Sequence, residues 1–488
     1  MISGRKLFEN SILYSFSGIL TKCLNFILLP IYTASLTVED YGIYSLIGSF
    51  VSAALHLVTL GLENAITRFH CEHQEDPDKL RILISTCVFP VLIMDVLLMS
   101  LCVVFRDFLC GTVLGGVAFF PFVLIGLIEL SCMALNNLYR GVLRTEGSGR
   151  KMTVSSLCMF AVSTVLTLVL VVCMKCGAAG MLAAIAASRA LLTVYGVFDL
   201  VKRKLIGCKV EFGLLKKVVR YSVPLVPHEA SGYIATFSAK VFLSRAAAMA
   251  SVGVYNLSSQ IALVIDTVQD SFGHAFRPWL NETLTKRPAD GSRKIRQMSE
   301  MTMALFGLLT VCVSLFAFEV IVLFFDESYG FAWKLIPILA LAVSTKSIYY
   351  LYIFKCLYFV DTAKKIFAVS LIGSFANILL AYYLTPVFGM VGTALAQLAS
   401  DALRAAGVIV LAGTREKIGY RLGRLLSTML IGWVVVAAGV LPVVLLQPET
   451  FHWGLFCYKV GLVLAYAGFY GLKYKKTLLQ LIRKPGQK

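Results

Sequence analysis

Apolar runs of about 20 residues follow one another along almost the whole chain, separated by short polar stretches. A run of that length crosses the hydrocarbon of a bilayer as one helix. The pattern predicts about 14 such spans. The first six lie at 11–35, 41–64, 82–105, 113–139, 153–174 and 177–199. Six more lie at 221–244, 251–279, 300–325, 333–359, 366–385 and 388–412, and a last pair at 425–446 and 454–472. Strict alternation of apolar and polar residues, the mark of a membrane barrel, is absent, so the expected fold is an all-α polytopic membrane protein.

Polar residues inside these runs recur at helical spacing. Span 2 carries Ser45, Ser49, Ser52, His56, Thr59 and Glu63, which steps of 3 and 4 place on one face. Span 8 carries Asn256, Gln260, Asp266, Asp270, His274 and Arg277; span 1 carries Tyr14, Ser17, Thr21, Lys22 and Asn25; span 7 carries Ser222, Glu229, Tyr233, Thr236 and Lys240. Polar groups in a bilayer usually face a bundle interior or a wet cavity, so four helices walling one cavity is the expected arrangement. The plainer alternative is that Ser and Thr bond their own helix backbone and that charges pair locally. Asp401 and Arg404 read as such a local pair, whereas Asp95, Glu129, Arg189, Glu319, Lys346 and Lys355 form no stripe.

The chain also repeats itself. Tyr41-Gly42 is echoed by Val252-Gly253, Gly61 by Gly273, and Gly177 and Gly180 by Gly389 and Gly392, all 211 or 212 positions apart. Six spans separate the copies, an even number, so both share one membrane orientation. The reading is two six-helix bundles in parallel repeat, at 1–200 and 221–413, joined by a basic linker at 201–220. Two further helices and a basic tail follow at 414–488.

Composition agrees with this picture and charge orients it. Of the 488 residues, 58% are hydrophobic and 15% charged, outside the range of soluble domains. The net charge of +18 would suggest nucleic acid on a soluble protein. Here 33 of the 45 Lys and Arg fall in loops on the N-terminal side and only 4 in loops on the other side. That asymmetry predicts both termini in the cytoplasm, and no nucleic-acid partner. Enzyme motifs are missing: Gly111 to Gly116 lacks the Lys of a phosphate-binding loop, and no loop is long enough for a catalytic domain. Cys173 and Cys176 form a lone CxxC without a second pair, so no metal and no cofactor is expected.

Three stretches carry a family resemblance: Asn10 to Tyr32 continuing into Glu39-Asp40-Tyr41-Gly42-Ile43-Tyr44-Ser45-Leu46; Gly61-Leu62-Glu63 with Ile66-Thr67-Arg68-Phe69; and Tyr221-Ser222-Val223-Pro224-Leu225-Val226-Pro227-His228 with Phe276-Arg277-Pro278-Trp279. The pattern resembles polysaccharide-biosynthesis flippases of the Wzx type, within the multidrug/oligosaccharidyl-lipid/polysaccharide exporter superfamily (MATE-like). One departure is that Ser238 is followed by Ala239-Lys240, where relatives often have an acidic-basic pair. The resemblance implies two lobes in a V around a cationic cavity. It also implies export of a polyprenyl-pyrophosphate-linked oligosaccharide across a bacterial cytoplasmic membrane, alongside polysaccharide polymerase or assembly proteins. Set against it, Lys22, Lys240, His56 and Arg277 are the candidate cations of the cavity. Asn25, Tyr233, Asn256 and Gln260 are candidates for bonding sugar, and Asp266 and Asp270 for a coupling proton or cation. A cation-coupled multidrug antiporter of the same superfamily is the competing expectation.

Overall fold

A computed structural model describes residues 4–73, 76–207, 209–286, 290–413, 420–448 and 450–482, and every regular element among them is helical. Packing divides the chain into two compact units, Met1–Gly253 and Val254–Lys488.

The first unit contains α1 (Gly4–Ser35), α2 (Val38–Thr59), α3 (Leu62–His73), α4 (Pro77–Val104), a single turn α5 (Arg106–Phe108), α6 (Leu124–Thr145), α7 (Gly149–Thr167), α8 (Gly177–Lys202), α9 (Phe212–Ser222) and α10 (Val226–Ala246). Its core lies among α2, α3, α4 and α6, where Leu46, Ile47, Val58, Leu62, Ile66, Leu83, Leu127 and Val142 are fully buried. Helix α11 (Met249–Lys286) begins at the end of this unit. The second unit continues with α12 (Gly291–Leu315), the short α13 (Ala317–Phe324), α14 (Ala332–Tyr358), α15 (Val360–Gly413), α16 (Leu422–Leu446) and α17 (Trp453–Ile482). One core in it gathers Leu280, Ile348, Leu351, Val408 and Leu425; a second gathers Val311, Leu315, Val436 and Tyr466.

Polar chemistry sets several helix ends. Thr37 caps α2 by accepting from the Asp40 amide at 3.0 Å, and its hydroxyl donates to the Asp40 carboxylate at 2.8 Å. The same carboxylate accepts from the amide of Ala178 at 3.1 Å, tying the start of α2 to the start of α8. Asp76 caps α4, with Pro77 at the first helical position where a missing N–H costs nothing. Lys217 of α9 donates to Glu72 of α3 at 3.3 Å, and this hydrogen bond holds the Glu72 carboxyl below its ordinary pKa.

The repeat has a structural counterpart in backbone conformation. Gly177 has φ +57° and Gly389 has φ +56°, the left-handed region that a side chain disfavours. Gly389 breaks α15, which accounts for the two expected spans at 366–385 and 388–412. Gly42 and Gly253, the equivalent landmarks opening α2 and α11, lie against each other. A Cβ on Gly42 would fall 2.2 Å from the Met249 carbonyl oxygen, and one on Gly253 would fall 2.2 Å from that of Val38.

Two expectations need correction. Span 2 does not run to residue 64: α2 ends at Thr59, and Leu60 and Gly61 turn through positive φ before α3 begins. Glu63 therefore opens α3 and does not extend the polar face of α2. Spans 4 and 5 are displaced toward their basic ends, with π-helical turns at Phe119–Val123 and Leu168–Cys173 where regular helix was expected. Ten helices among the described residues are long and apolar enough to cross a membrane. The polar-striped α10 and α11 are not in that set, because their stripes dilute the apolar run.

The boundary at Gly253 differs from the one expected near 220. The repeat assigns α10 to the second half, whereas packing joins it to the first, because α10 lies along α2.

Candidate functional site

Helices α2 and α10 pack antiparallel, and their polar faces meet at two levels. At one level the Lys240 ammonium, only 8% exposed, donates to the Ser45 hydroxyl at 2.8 Å and to the Ser45 carbonyl oxygen at 3.3 Å. At the other, His56 Nδ1 lies 3.8 Å from the Glu229 carboxylate, and its ring packs against Tyr233 at a tilt of 33° with centroids 4.8 Å apart. Glu229 also accepts from the Asn64 amide at 2.9 Å, which brings in α3. Eleven residues separate Ser45 from His56, and eleven separate Glu229 from Lys240. Three helical turns cover that interval, about 16 Å, so each helix presents both groups on the same side.

The hydroxyls between them behave differently. Ser49 donates to the Ser45 carbonyl at 2.9 Å, and Ser52 to that of Gly48 at 2.8 Å. These two satisfy themselves within α2, as the plainer reading holds. Placing a charged lysine near the middle of a bilayer costs about 3 kcal/mol on insertion scales, so a buried Lys240 needs its hydroxyl and carbonyl acceptors.

In the second unit α11 and α14 run parallel and offer one i,i+4 pair each. Asp266 and Asp270 of α11 meet Lys346 and Tyr350 of α14. Lys346 donates to Asp266 at 2.8 Å; the Tyr350 hydroxyl donates to Asp270 at 2.5 Å and lies 3.5 Å from Asp266. The Lys346 ammonium also sits 5.4 Å above the Tyr350 ring. Gln269, on the neighbouring face, donates to the Ser347 hydroxyl at 2.7 Å and holds the two helices in register. The arrangement can carry a proton between two carboxylates through one phenol, with a lysine balancing the charge.

The other sequence-derived candidates scatter. Lys22 and Asn25 are on an exposed stretch of α1, and Gln260, His274 and Arg277 on exposed positions of α11. Asn256 is buried near the start of α11. The structure thus joins His56 with Tyr233, and Asp266 with Asp270, and gives Lys240 a partner in Ser45. It adds Asn64, Lys346 and Tyr350, and it gives Glu229 of the span 7 stripe its partners. Lys346 and Tyr350 had a legible signal, since four residues apart they share one face of an apolar helix.

Several of the charges without a stripe find partners in the fold. Glu129 meets Arg189 at 3.1 Å, Glu319 meets Lys459 at 2.7 Å, and Lys355 donates to the Ala412 carbonyl at 2.7 Å. Arg404 donates to Asp401 at 2.9 Å, as the i,i+3 spacing suggested, and to Ser374 at 3.0 Å.

Residues 7–284 match the model of a family described as polysaccharide biosynthesis protein. A Haemophilus influenzae protein of the Lsg locus is 23% identical over 288 residues, covering 58% of this chain and 68% of that protein. Among solved structures, the lipid II flippase MurJ in an inward closed conformation superposes with a TM-score of 0.71 at 14% identity, over 96% of this chain and 100% of that one. An inward-facing multidrug resistance MATE family transporter of the MOP superfamily gives a TM-score of 0.66 at 14% identity, over 81% and 98%.

Proposed function

Because the chain belongs to the polysaccharide biosynthesis protein family, we propose that it is a flippase for a polyprenyl-(pyro)phosphate-linked oligosaccharide. It moves that lipid from the cytoplasmic to the outer leaflet of a bacterial cytoplasmic membrane by alternating access between two six-helix lobes, 1–200 and 221–413. Three of the four polar-striped helices, α1, α10 and α11, cross the membrane together with the ten apolar ones. Counting both arms of α15, the spans then number about 14, as the hydropathy pattern suggested.

The observation that carries the reading is the buried Lys240 ammonium, held on α10 against Ser45 of α2. A cation inside the hydrocarbon region is rare and marks a functional path. Charge-assisted hydrogen bonds to an entering phosphate compensate its desolvation better than a hydroxyl does. Tyr233, about two turns from Lys240 on α10, and His56, about three turns from Ser45 on α2, are then positioned for sugar, and Lys22, Asn25, Asn256, Gln260 and Arg277 stay as further substrate candidates. Asp266 and Asp270, joined through Tyr350, form the candidate coupling site for a proton or cation. Those same carboxylates, with Glu229, favour the second reading, a cation-coupled antiporter of organic cations.

The test is a chromosomal deletion complemented with wild type or Lys240→Ala. Loss of the gene should strand lipid-linked oligosaccharide on the cytoplasmic leaflet, and Lys240→Ala should insert normally yet restore less than a tenth of the surface polysaccharide. Full surface polysaccharide in the deletion strain would sink the flippase reading. Full rescue by Lys240→Ala would sink the role of the lysine alone.

A further inference from the structure

Helices α7 and α8 enclose a groove of about 450 Å³ that takes no part in the polar clusters. Arg150 and Lys151 stand at one end of it, and Val154, Val162, Leu191 and Tyr195 line its length. Val154 is 51%, Leu191 58% and Tyr195 48% exposed, so the groove opens sideways along the outer surface of the unit. We propose that it binds one anionic phospholipid of the surrounding membrane. The phosphate sits at Arg150 and Lys151, and an acyl chain lies between α7 and α8.

Three observations favour that occupant. Charge is the first: Arg150 is exposed and has no carboxylate within 4 Å among the described residues, and Lys151, although 3.4 Å from Asp199, keeps half of its side chain exposed. Asp199 is itself engaged by Arg203 at 3.2 Å and by the Tyr139 hydroxyl at 3.1 Å, so the mouth stays cationic. Length is the second. From Arg150 to Val162 the helix rises about 18 Å, close to the ~15 Å depth of one leaflet. Position is the third: the basic end belongs to the 140–151 stretch, which the distribution of Lys and Arg assigns to the cytoplasmic side, where anionic headgroups attract such residues. A free phosphate has no use for the apolar length, whereas a membrane lipid uses both.

The experiment is native mass spectrometry of the full-length protein in detergent, titrated with phosphatidylglycerol and with phosphatidylcholine of the same acyl chains. Wild type should retain phosphatidylglycerol in preference. Arg150→Gln/Lys151→Gln should weaken that binding about twenty-fivefold, each basic group near an anionic surface counting for roughly fivefold. Arg293→Gln/Lys294→Gln, the same charge loss at exposed positions elsewhere, should leave it unchanged. Val154→Trp should fill the groove and reduce both lipids. Should the double variant not fold, Arg150→Gln alone, at an exposed helix start, serves with an expected fivefold loss. Equal retention of the two lipids by wild type, or unchanged binding in the Arg150 variant, overturns the proposal. Displacement of phosphatidylglycerol by an equimolar polyprenyl phosphate also overturns it, by assigning the groove to a carrier lipid.

Discussion

Among the described residues, Lys459 and Lys240 are two buried lysines whose ammonium groups meet different acceptors. Lys459 is 1% exposed and bonds both oxygens of Glu319, at 2.7 and 2.9 Å, with the Phe318 ring 5.7 Å from the ammonium. Such a pair is complete, and its worth shows when it is broken. Lys459→Met should destabilise the protein by about 3–5 kcal/mol, because Glu319 is left charged and buried. Lys459→Met/Glu319→Leu should recover most of that loss. The thermal unfolding midpoint in detergent reads both; a single variant as stable as wild type would refute the assignment. Lys240 has among its acceptors the hydroxyl and the carbonyl oxygen of Ser45, and a phosphate can replace both. The difference between these two lysines is invisible in sequence, where each is one charge in an apolar run.

At the scale of elements, a helix pair is set by how closely two backbones approach. Gly42 on α2 and Gly253 on α11 leave no room for a methyl group, with carbonyl oxygens 2.2 Å from either ideal Cβ. Gly48, two turns further along α2, has open space around it. Gly42→Ala and Gly253→Ala should therefore lower stability by about 1–3 kcal/mol through overpacking. Gly48→Ala should leave the unfolding midpoint unchanged or raise it, by the usual helix preference for Ala over Gly. Equal midpoints for Gly42→Ala and Gly48→Ala would show that the crossing is loose. The sequence marked Gly42 and Gly253 as equivalent landmarks of the repeat, but gave no hint that they touch. It also overran α2 by several residues, because Leu60 and Gly61 lie in an apolar run whose composition does not betray a left-handed turn.

Across the whole molecule, the distribution of basic residues makes the firmest statement about placement in a membrane. With 33 Lys and Arg in loops on one side and 4 on the other, reporter fusions after residue 206 and after residue 420 should both report the cytoplasm. A fusion after Cys176 should report the outer side. Accessibility of either basic loop from outside would reverse the orientation. The two packing units and the two repeats share this scale but divide the chain differently, at 253 and near 220. A boundary read from repeats follows ancestry of segments; one read from packing follows contact, and α10 belongs to one half by the first measure and to the other by the second.

Helical class, the position of most apolar spans, the repeat and the expected sidedness were all determined by the sequence alone. Each depends on a local or periodic property: run length against bilayer thickness, spacing of 3 and 4, a recurring glycine, the charge of a loop. Partners were decided only by tertiary structure. Asp266 and Asp270 read as two neighbouring acids; that Tyr350 links them and Lys346 neutralises one depends on α14, 80 residues away. Glu229 became part of the His56 cluster for the same reason. Periodicity fixes which face of a helix is polar, but the group opposite that face comes from another helix, and no short-range pattern records the pairing.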